Sequence, residues 1–185
     1  MPCAMGGRHL IGHRNFPADI LGQRMLFDTN VWLLLNGPFP DIHDRRYRAY
    51  SWLYKAALEA GAEVFMPQIV MCEFARIFLH IRAESDGWDK ADKIHRFNGY
   101  KDLMRDAADE LHHMLSACTR TPDGFDKAKI DELFAEAGEL GVDFNDAIIG
   151  RICQDLDLVL VTDDADFSGS SAVIVTANPK LAGQN

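Results

Sequence analysis

Acidic side chains recur where this chain leaves an apolar strand for the next turn or helix. Asp28 ends the run Met25–Leu26–Phe27, with Thr29 and Asn30 directly after it. Thr162, Asp163, Asp164 and Asp166 come after a second strongly apolar run, Asp157 to Val161. Glu73 lies two turns into the apolar segment beginning at Gln68, and Asp143 and Asp146 open the segment leading to Asp157. Four segments far apart in sequence thus supply carboxylates. Carboxylates brought together repel one another unless a hard cation stands between them. Oxygen-only donors suit Mg²⁺ or Mn²⁺, ions that polarise phosphates and generate hydroxide from water. Two such ions about 4 Å apart would clamp the attacking and leaving oxygens of a phosphodiester. Metal-assisted phosphoryl transfer is the chemistry to which these residues point.

Each acid also has a structural reading. Asp143 is a good helix N-cap, and Asp146 three residues later resembles the reach-back position of a capping box. That position usually holds Glu or Gln, so capping explains Asp143 better than Asp146. Asp163, Asp164 and Asp166 are also compatible with an acidic turn. Glu73 is harder to dismiss, because Ile69, Val70, Phe74, Ile77 and Phe78 mark its helix as buried. A buried carboxylate without compensation costs several kcal/mol or stays protonated.

The elements that position these acids are read from hydrophobic periodicity. Short apolar runs at 25–27, 64–66, 157–161 and 172–175 read as strands. A helix is predicted from about Asp44 to Glu59, with Tyr47, Tyr50, Leu53, Tyr54, Ala57 and Leu58 on one stripe and Gly61 as its C′ residue. Further helices are predicted from Gln68 to about Ala83, through a long middle stretch ending near Cys118, from about Asp126 to Leu140, and from Asp143 onward. Thr121–Pro122–Asp123–Gly124 is a break. Strands separated by helices, with no hairpin signal, imply a mainly parallel central sheet in a three-layer α/β/α sandwich. Functional crevices in such sheets lie beyond the carboxyl ends of the strands, where the acids are.

Composition sets the outer bounds. The chain has 185 residues, 48% hydrophobic and 25% charged, with a formal net charge of −9. This is ordinary globular composition and suits one domain. No apolar run approaches the roughly 20 residues of a membrane span. The acidic balance argues against coating duplex DNA by bulk charge, though not against nucleic acid held at a local patch or through metal ions. Residues 1–24 are set apart, with Arg8, Arg14 and Arg24 against the single acid Asp19. They are expected to form a flexible arm, or to reflect a start site placed too early, before a single domain at 25–185. Cys72, Cys118 and Cys153 fall in apolar helical patterns and read as reduced core residues of a cytoplasmic protein.

Taken together, Phe27–Asp28–Thr29–Asn30, Glu73 within an apolar helix, Asp146–Ala147–Ile148–Ile149 and Thr162–Asp163–Asp164–Ala165–Asp166–Phe167 resemble the PIN-domain ribonucleases. The small VapC-like toxins of bacterial toxin–antitoxin pairs are nearest in layout. The resemblance runs from about Met25 to Pro179 and covers four motifs in order. It implies that Asp28, Glu73 and Asp146 hold one or two Mg²⁺ or Mn²⁺ ions, with Asp164 as fourth acid. It further implies that Thr29, Asn30 and Thr162 support the pocket, beside Asp143 and Asp166. An antitoxin partner, whose inserted Arg would neutralise the pocket, and a homodimer belong to the same expectation. The stretch from about Ser85 to Arg120 is longer than in the smallest toxins, and the N-terminal arm lies outside the pattern.

On the helix after Asp44, Arg45, Arg48, Trp52 and Lys55 recur at spacings of three and four, opposite the apolar stripe. Cations with an interleaved aromatic suit single-stranded RNA, through phosphate contact and base stacking. A solvated face or a dimer contact explains them equally well. The leading expectation is a metal-dependent endoribonuclease acting on single-stranded or structured RNA. A small-molecule phosphatase or phosphotransferase is a second reading, although such enzymes usually carry Asp where Asn30 stands. A non-catalytic module binding a structural cation or a partner's Arg is a third. Retention of all four acids favours catalysis.

Overall fold

Met25–Phe27, Val64–Pro67 and Val159–Val161 are buried along their whole lengths, without the alternation of a strand that has one wet face. Strands of this kind need cover on both sides, which a parallel sheet flanked by helices supplies. The computed structural model, which describes residues 7–14, 16–90, 93–121 and 127–183, has this architecture. Its strands are β1 (Arg8–Leu10), β2 (Met25–Phe27), β3 (Val64–Pro67), β4 (Thr119–Thr121), β5 (Val159–Val161) and β6 (Ile174–Thr176). They form one sheet in the order β1-β6-β5-β2-β3-β4, every pairing parallel. Its helices are α1 (Thr29–Asn36), α2 (Arg45–Glu59), α3 (Gln68–Ser85), α4 (Tyr100–Leu115), α5 (Lys127–Leu140) and α6 (Phe144–Leu156). The fold is a three-layer α/β/α sandwich.

β2 lies between β5 and β3, with Met25 opposite both Val159 and Val64. The chain therefore leaves its most enclosed strand at Asp28. Three aromatic rings fix the exit. Phe27, Trp32 and Tyr54 form a closed trio with centroids 5.4–5.5 Å apart, joining β2 to α1 and α2. Such pairs contribute about 0.5–1.5 kcal/mol each beyond the area they bury. α2 stops where expected, since Gly61 adopts φ +82°, a conformation that side chains with a Cβ resist.

The sheet is wider than the sequence implies. β4 is three residues of Thr–Arg–Thr, exposed or half-exposed, at one edge, and it carries no hydrophobic signature. β1 lies at the other edge, pairing Arg8, His9 and Leu10 with Ile174, Val175 and Thr176. The described part of the segment before Met25, expected as a flexible arm, pairs with the sheet and packs on its core. A 3-10 turn at Ala18–Gly22 comes after β1 and buries Ile20 in the core. Short edge strands need little apolar sequence because one side stays open, and so periodicity misses them. Residues 1–6 of the arm, and Pro122 to Gly124 of the break, lie outside the described residues. Cys153 is buried and Cys118 half-buried, with burial pushing the Cys118 thiol up to about 12. Cys72 is exposed, against expectation: it falls off the Val70–Phe74–Phe78 stripe of α3.

A chain starting at Met25 would lose β1 and the buried Ile20. Burial of one such side chain is worth about 2 kcal/mol, and the truncated protein should melt roughly 4–8 °C lower. An unchanged melting temperature in a scanning calorimeter would show that the segment is dispensable.

Candidate acidic active site

The site is built on the end of β2. Asp28 is the N-cap of α1, and its Oδ1 accepts the Thr29 N–H at 2.6 Å. The ladder carries on past the strand, with Asp28 N–H donating to Val161 O at 2.9 Å and Thr162 N–H to Val175 O at 3.1 Å. This sets Asp28 beside Thr162, whose Oγ1 donates to Asp28 Oδ2 at 2.8 Å. The same hydroxyl accepts from Asn30 Nδ2 at 3.3 Å and from the Asp164 N–H at 3.0 Å. With both acceptor positions filled, its single proton is committed to Asp28. Both Asp28 oxygens are thus fixed as acceptors, and the residue is only 4% exposed.

Glu73 arrives from α3, half-buried, and accepts from Thr29 Oγ1 at 2.8 Å. Thr29 therefore serves two acids, one through its amide and one through its hydroxyl. Asp146 stands in the first turn of α6 and lines a cleft with Ala147, Gly150, Asp166 and Phe167. Asp143 caps that helix by accepting the Asn145 N–H at 2.8 Å, and it is exposed. Asp164 caps the 3-10 turn Ala165–Gly169 by accepting the Asp166 N–H at 2.9 Å. Asp166 is exposed at the rim.

The carboxylates share one field. Burial pushes Asp28 up to about 6 against the pull of its hydrogen bonds from Thr162 and Thr29, and the charges of Glu73 and Asp164 raise it further. Asp146 is pushed up to about 7, first by burial, then by Asp28, Asp164, Asp143 and Glu73. Thr29 links Asp28 to Glu73 and Thr162 links Asp28 to the Asp164 amide, while Asp146 lies within electrostatic reach of all three acids. Among the described residues, no three His, Cys, Asp or Glu side chains form a ready-made cation cage. The set instead fits a hard divalent ion by its donor chemistry, being oxygen-only, mutually repelling and centred on a buried carboxylate.

Three supporting residues escaped the sequence reading. Tyr50 is fully buried in α2. Its hydroxyl lies 3.0 Å from Thr162 O and 2.9 Å from Asp163 Oδ1, and it accepts the Ala177 N–H at 2.9 Å. Burial raises it far above the ordinary tyrosine range. Arg46 pairs with Asp163 at 3.3 Å, and Asn178 Nδ2 donates to Asp163 O at 3.0 Å. Together they tie α2 to the ends of β5 and β6. Asp163 is thus a latch and not a site acid. The available signal was a tyrosine at the centre of an apolar stripe, since a buried phenol needs a partner.

Arg45, Arg48, Trp52 and Lys55 are all exposed on α2. Lys55 pairs with Glu59 at 3.8 Å, and Trp52 meets Phe16 edge-on at 6.1 Å. Arg48, Trp52 and Lys55 form a solvent face, whereas Arg45 lines a cleft with Arg46, Asp163 and Lys180.

A family model described as "PIN domain" matches residues 25–170. Among solved structures, VapBC2 from Rickettsia felis, bound to a DNA fragment from its promoter, is similar at 16% identity and a TM-score of 0.53. That similarity covers 82% of this chain and 97% of the other. PAE2754 from Pyrobaculum aerophilum is similar at 18% identity and a TM-score of 0.51, covering 88% and 92%. FitAB bound to an IR36 DNA fragment is similar at 18% identity and a TM-score of 0.50, covering 83% and 94%. These likenesses are of fold. No curated protein matches the sequence.

The raised carboxyls set the sign of a pH effect. An acid with a higher pKa folded than unfolded stabilises the fold below its unfolded value, near 3.8, and that stability is lost as pH rises through about 6 for Asp28 and about 7 for Asp146. In chelator, Asp146→Asn should therefore melt above the wild type at about pH 8, and the gap should close toward about pH 4. A gap that does not change with pH would remove Asp146 from the shared field.

Proposed function

The chain belongs to the PIN-domain family, and from that premise we propose that it is a divalent-metal-dependent endoribonuclease acting on single-stranded or structured RNA. The observation that carries this reading is the buried Asp28, held as a double acceptor within the field of Glu73, Asp146 and Asp164. Capping accounts for Asp28 and Asp164 one at a time, but crowding like charges at a strand end opposes folding, so stability does not explain the group.

Asp28, Glu73, Asp146 and Asp164 would hold one or two Mg²⁺ or Mn²⁺ ions. When bound, these ions would polarise the phosphodiester and lower the pKa of water. The protein supplies the rest. Thr162 and Thr29 hold Asp28 and Glu73 in fixed orientations, so little reorganisation accompanies charge development. Asp146, half-buried beside its cleft, would have a proton-accepting carboxylate at neutral pH once cation charge offsets its neighbours. Hydrolysis consumes one water: its oxygen joins phosphorus, one ester P–O bond breaks, and the departing oxygen gains a proton.

VapBC2 and FitAB are complexes on DNA, and they support reading this chain as the toxin of a toxin–antitoxin pair. In that reading a small antitoxin covers the acids, supplying a cation in place of metal, and the toxin is a homodimer. Among the described residues no helix is long and apolar enough to cross a membrane, and cytoplasmic action is part of the proposal.

Asp28→Asn removes the central charge and sets an amide against the committed Thr162 proton. Cleavage of a panel of single-stranded and structured RNAs in Mn²⁺ should fall on the order of 10³-fold or more, a loss of several kcal/mol of transition-state stabilisation. Circular dichroism should show the fold retained. Wild-type rates in the folded variant would contradict the assignment, and activity confined to small phosphomonoesters would favour a phosphatase.

A further inference from the structure

The carboxyl edge of the sheet continues beyond the acids on both flanks, and the two flanks differ in charge. Past β3 and β4, a cleft is lined by Met66, Gln68, Met71, Cys72, Arg120 and Thr121, one cation above a largely apolar floor. Past β5 and β6, a second cleft is lined by Arg45, Arg46, Asp163, Asn178 and Lys180.

The second cleft is built rather than incidental. Arg46 is engaged by Asp44 at 2.9 Å and Asp163 at 3.3 Å, so its charge is already matched. Asn178 Oδ1 accepts the Lys180 N–H at 3.1 Å, fixing the turn that presents Lys180. Arg45 and Lys180 are exposed, and among the described residues neither has an acidic partner. In a chain of net charge −9, Arg45, Arg46 and Lys180 outnumber Asp44 and Asp163 at this mouth, and the two cations that form no ion pair among the described residues mark a place for an anion.

The cleft is also wired to the acids. Asp163 N–H donates to Asn30 Oδ1 at 3.2 Å, Asn30 Nδ2 to Thr162 Oγ1 at 3.3 Å, and Thr162 Oγ1 to Asp28 at 2.8 Å. β6 lies two strands from β2, a step of roughly 10 Å across the sheet. A strand whose reacting phosphate lies over Asp28 can therefore set a phosphate further along its backbone between Arg45 and Lys180.

We propose that Arg45 and Lys180 hold a backbone phosphate beyond the scissile one, so that the RNA leaves the acids across β5 and β6. This rests on the ribonuclease reading and gives the substrate a direction. The pair offsets the repulsion between the acids and the polyanion, and it reads no sequence, since phosphate contacts position a strand without identifying bases. The outer face of α2, with Arg48, Trp52 and Lys55, lies off this path.

The test is fluorescence anisotropy with a labelled, mixed-sequence single-stranded RNA, using Asp146→Asn as the background in Mn²⁺ so that the strand stays intact. Adding Arg45→Glu or Lys180→Glu should weaken binding about three- to tenfold and lower the salt slope by about one phosphate contact, close to 0.7. The neutral changes Arg45→Gln and Lys180→Gln should give smaller shifts in the same direction. Arg48→Glu should leave affinity and slope at the background values. Melting temperatures should not fall in any of these variants, because all three residues are exposed and an acid at position 45 suits the start of α2. If RNA binds but ignores both residues, the cleft assignment is overturned and the cleft belongs to another ligand, such as an acidic protein segment. If neither the background protein nor the wild type in chelator binds RNA, the ribonuclease reading falls with it.

Discussion

A carboxylate taken out of water must be met by hydrogen bonds, a counter-charge or a proton, and Asp28 is the residue of this fold on which that demand falls hardest. It is 4% exposed at the end of the most enclosed strand, with other acids in its field. The Thr29 amide and the Thr162 hydroxyl meet part of the demand. The Thr162 proton has no freedom to turn away, because Asn30 and the Asp164 amide occupy the oxygen's other positions. What remains unmet appears as a raised proton affinity, with Asp28 near 6 and Asp146 near 7. A divalent cation would complete the compensation.

Much of the surrounding structure holds that arrangement in place. The Phe27–Trp32–Tyr54 trio locks α1 to α2 at the point where β2 delivers Asp28. Tyr50, Arg46 and Asn178 converge on Asp163 and fix the turn that carries Thr162 and Asp164. Apart from Glu73, which stands within α3, the acids come from turns and helix starts while their anchors come from the core, the division expected where a strained site rests on a rigid frame. The same frame extends to β6, where the turn at Asn178 presents Lys180 beside Arg45.

The sequence made the centre of this plan readable and its edges opaque. Buried strands announce themselves: β2, β3 and β5 are apolar throughout, and each acid was placed relative to one of them. Asp143 was legible as a cap because capping is local, and the Asn145 amide is its partner. β1 and β4 are edge strands that pair through backbone groups, which composition does not record. Asp163 looked like its neighbours Asp164 and Asp166, and only the approach of Tyr50 and Arg46 separates them. Glu73 was expected to be the deeply buried acid. The structure gives that place to Asp28, since one turn of α3 sets Glu73 at the margin of the core.

If the four carboxylates are one unit awaiting a cation, metal must stabilise the fold and must do so through them. Differential scanning calorimetry of the wild type and Asp146→Asn, in chelator and in saturating Mn²⁺, measures this directly. At about 100 times the dissociation constant, one ion should add roughly 2.7 kcal/mol to the wild type, a rise on the order of 5–10 °C for a chain of this size. The variant, with one donor removed, should gain much less. Equal gains in the two proteins, or none in the wild type, would contradict a shared metal site built from Asp28, Glu73, Asp146 and Asp164.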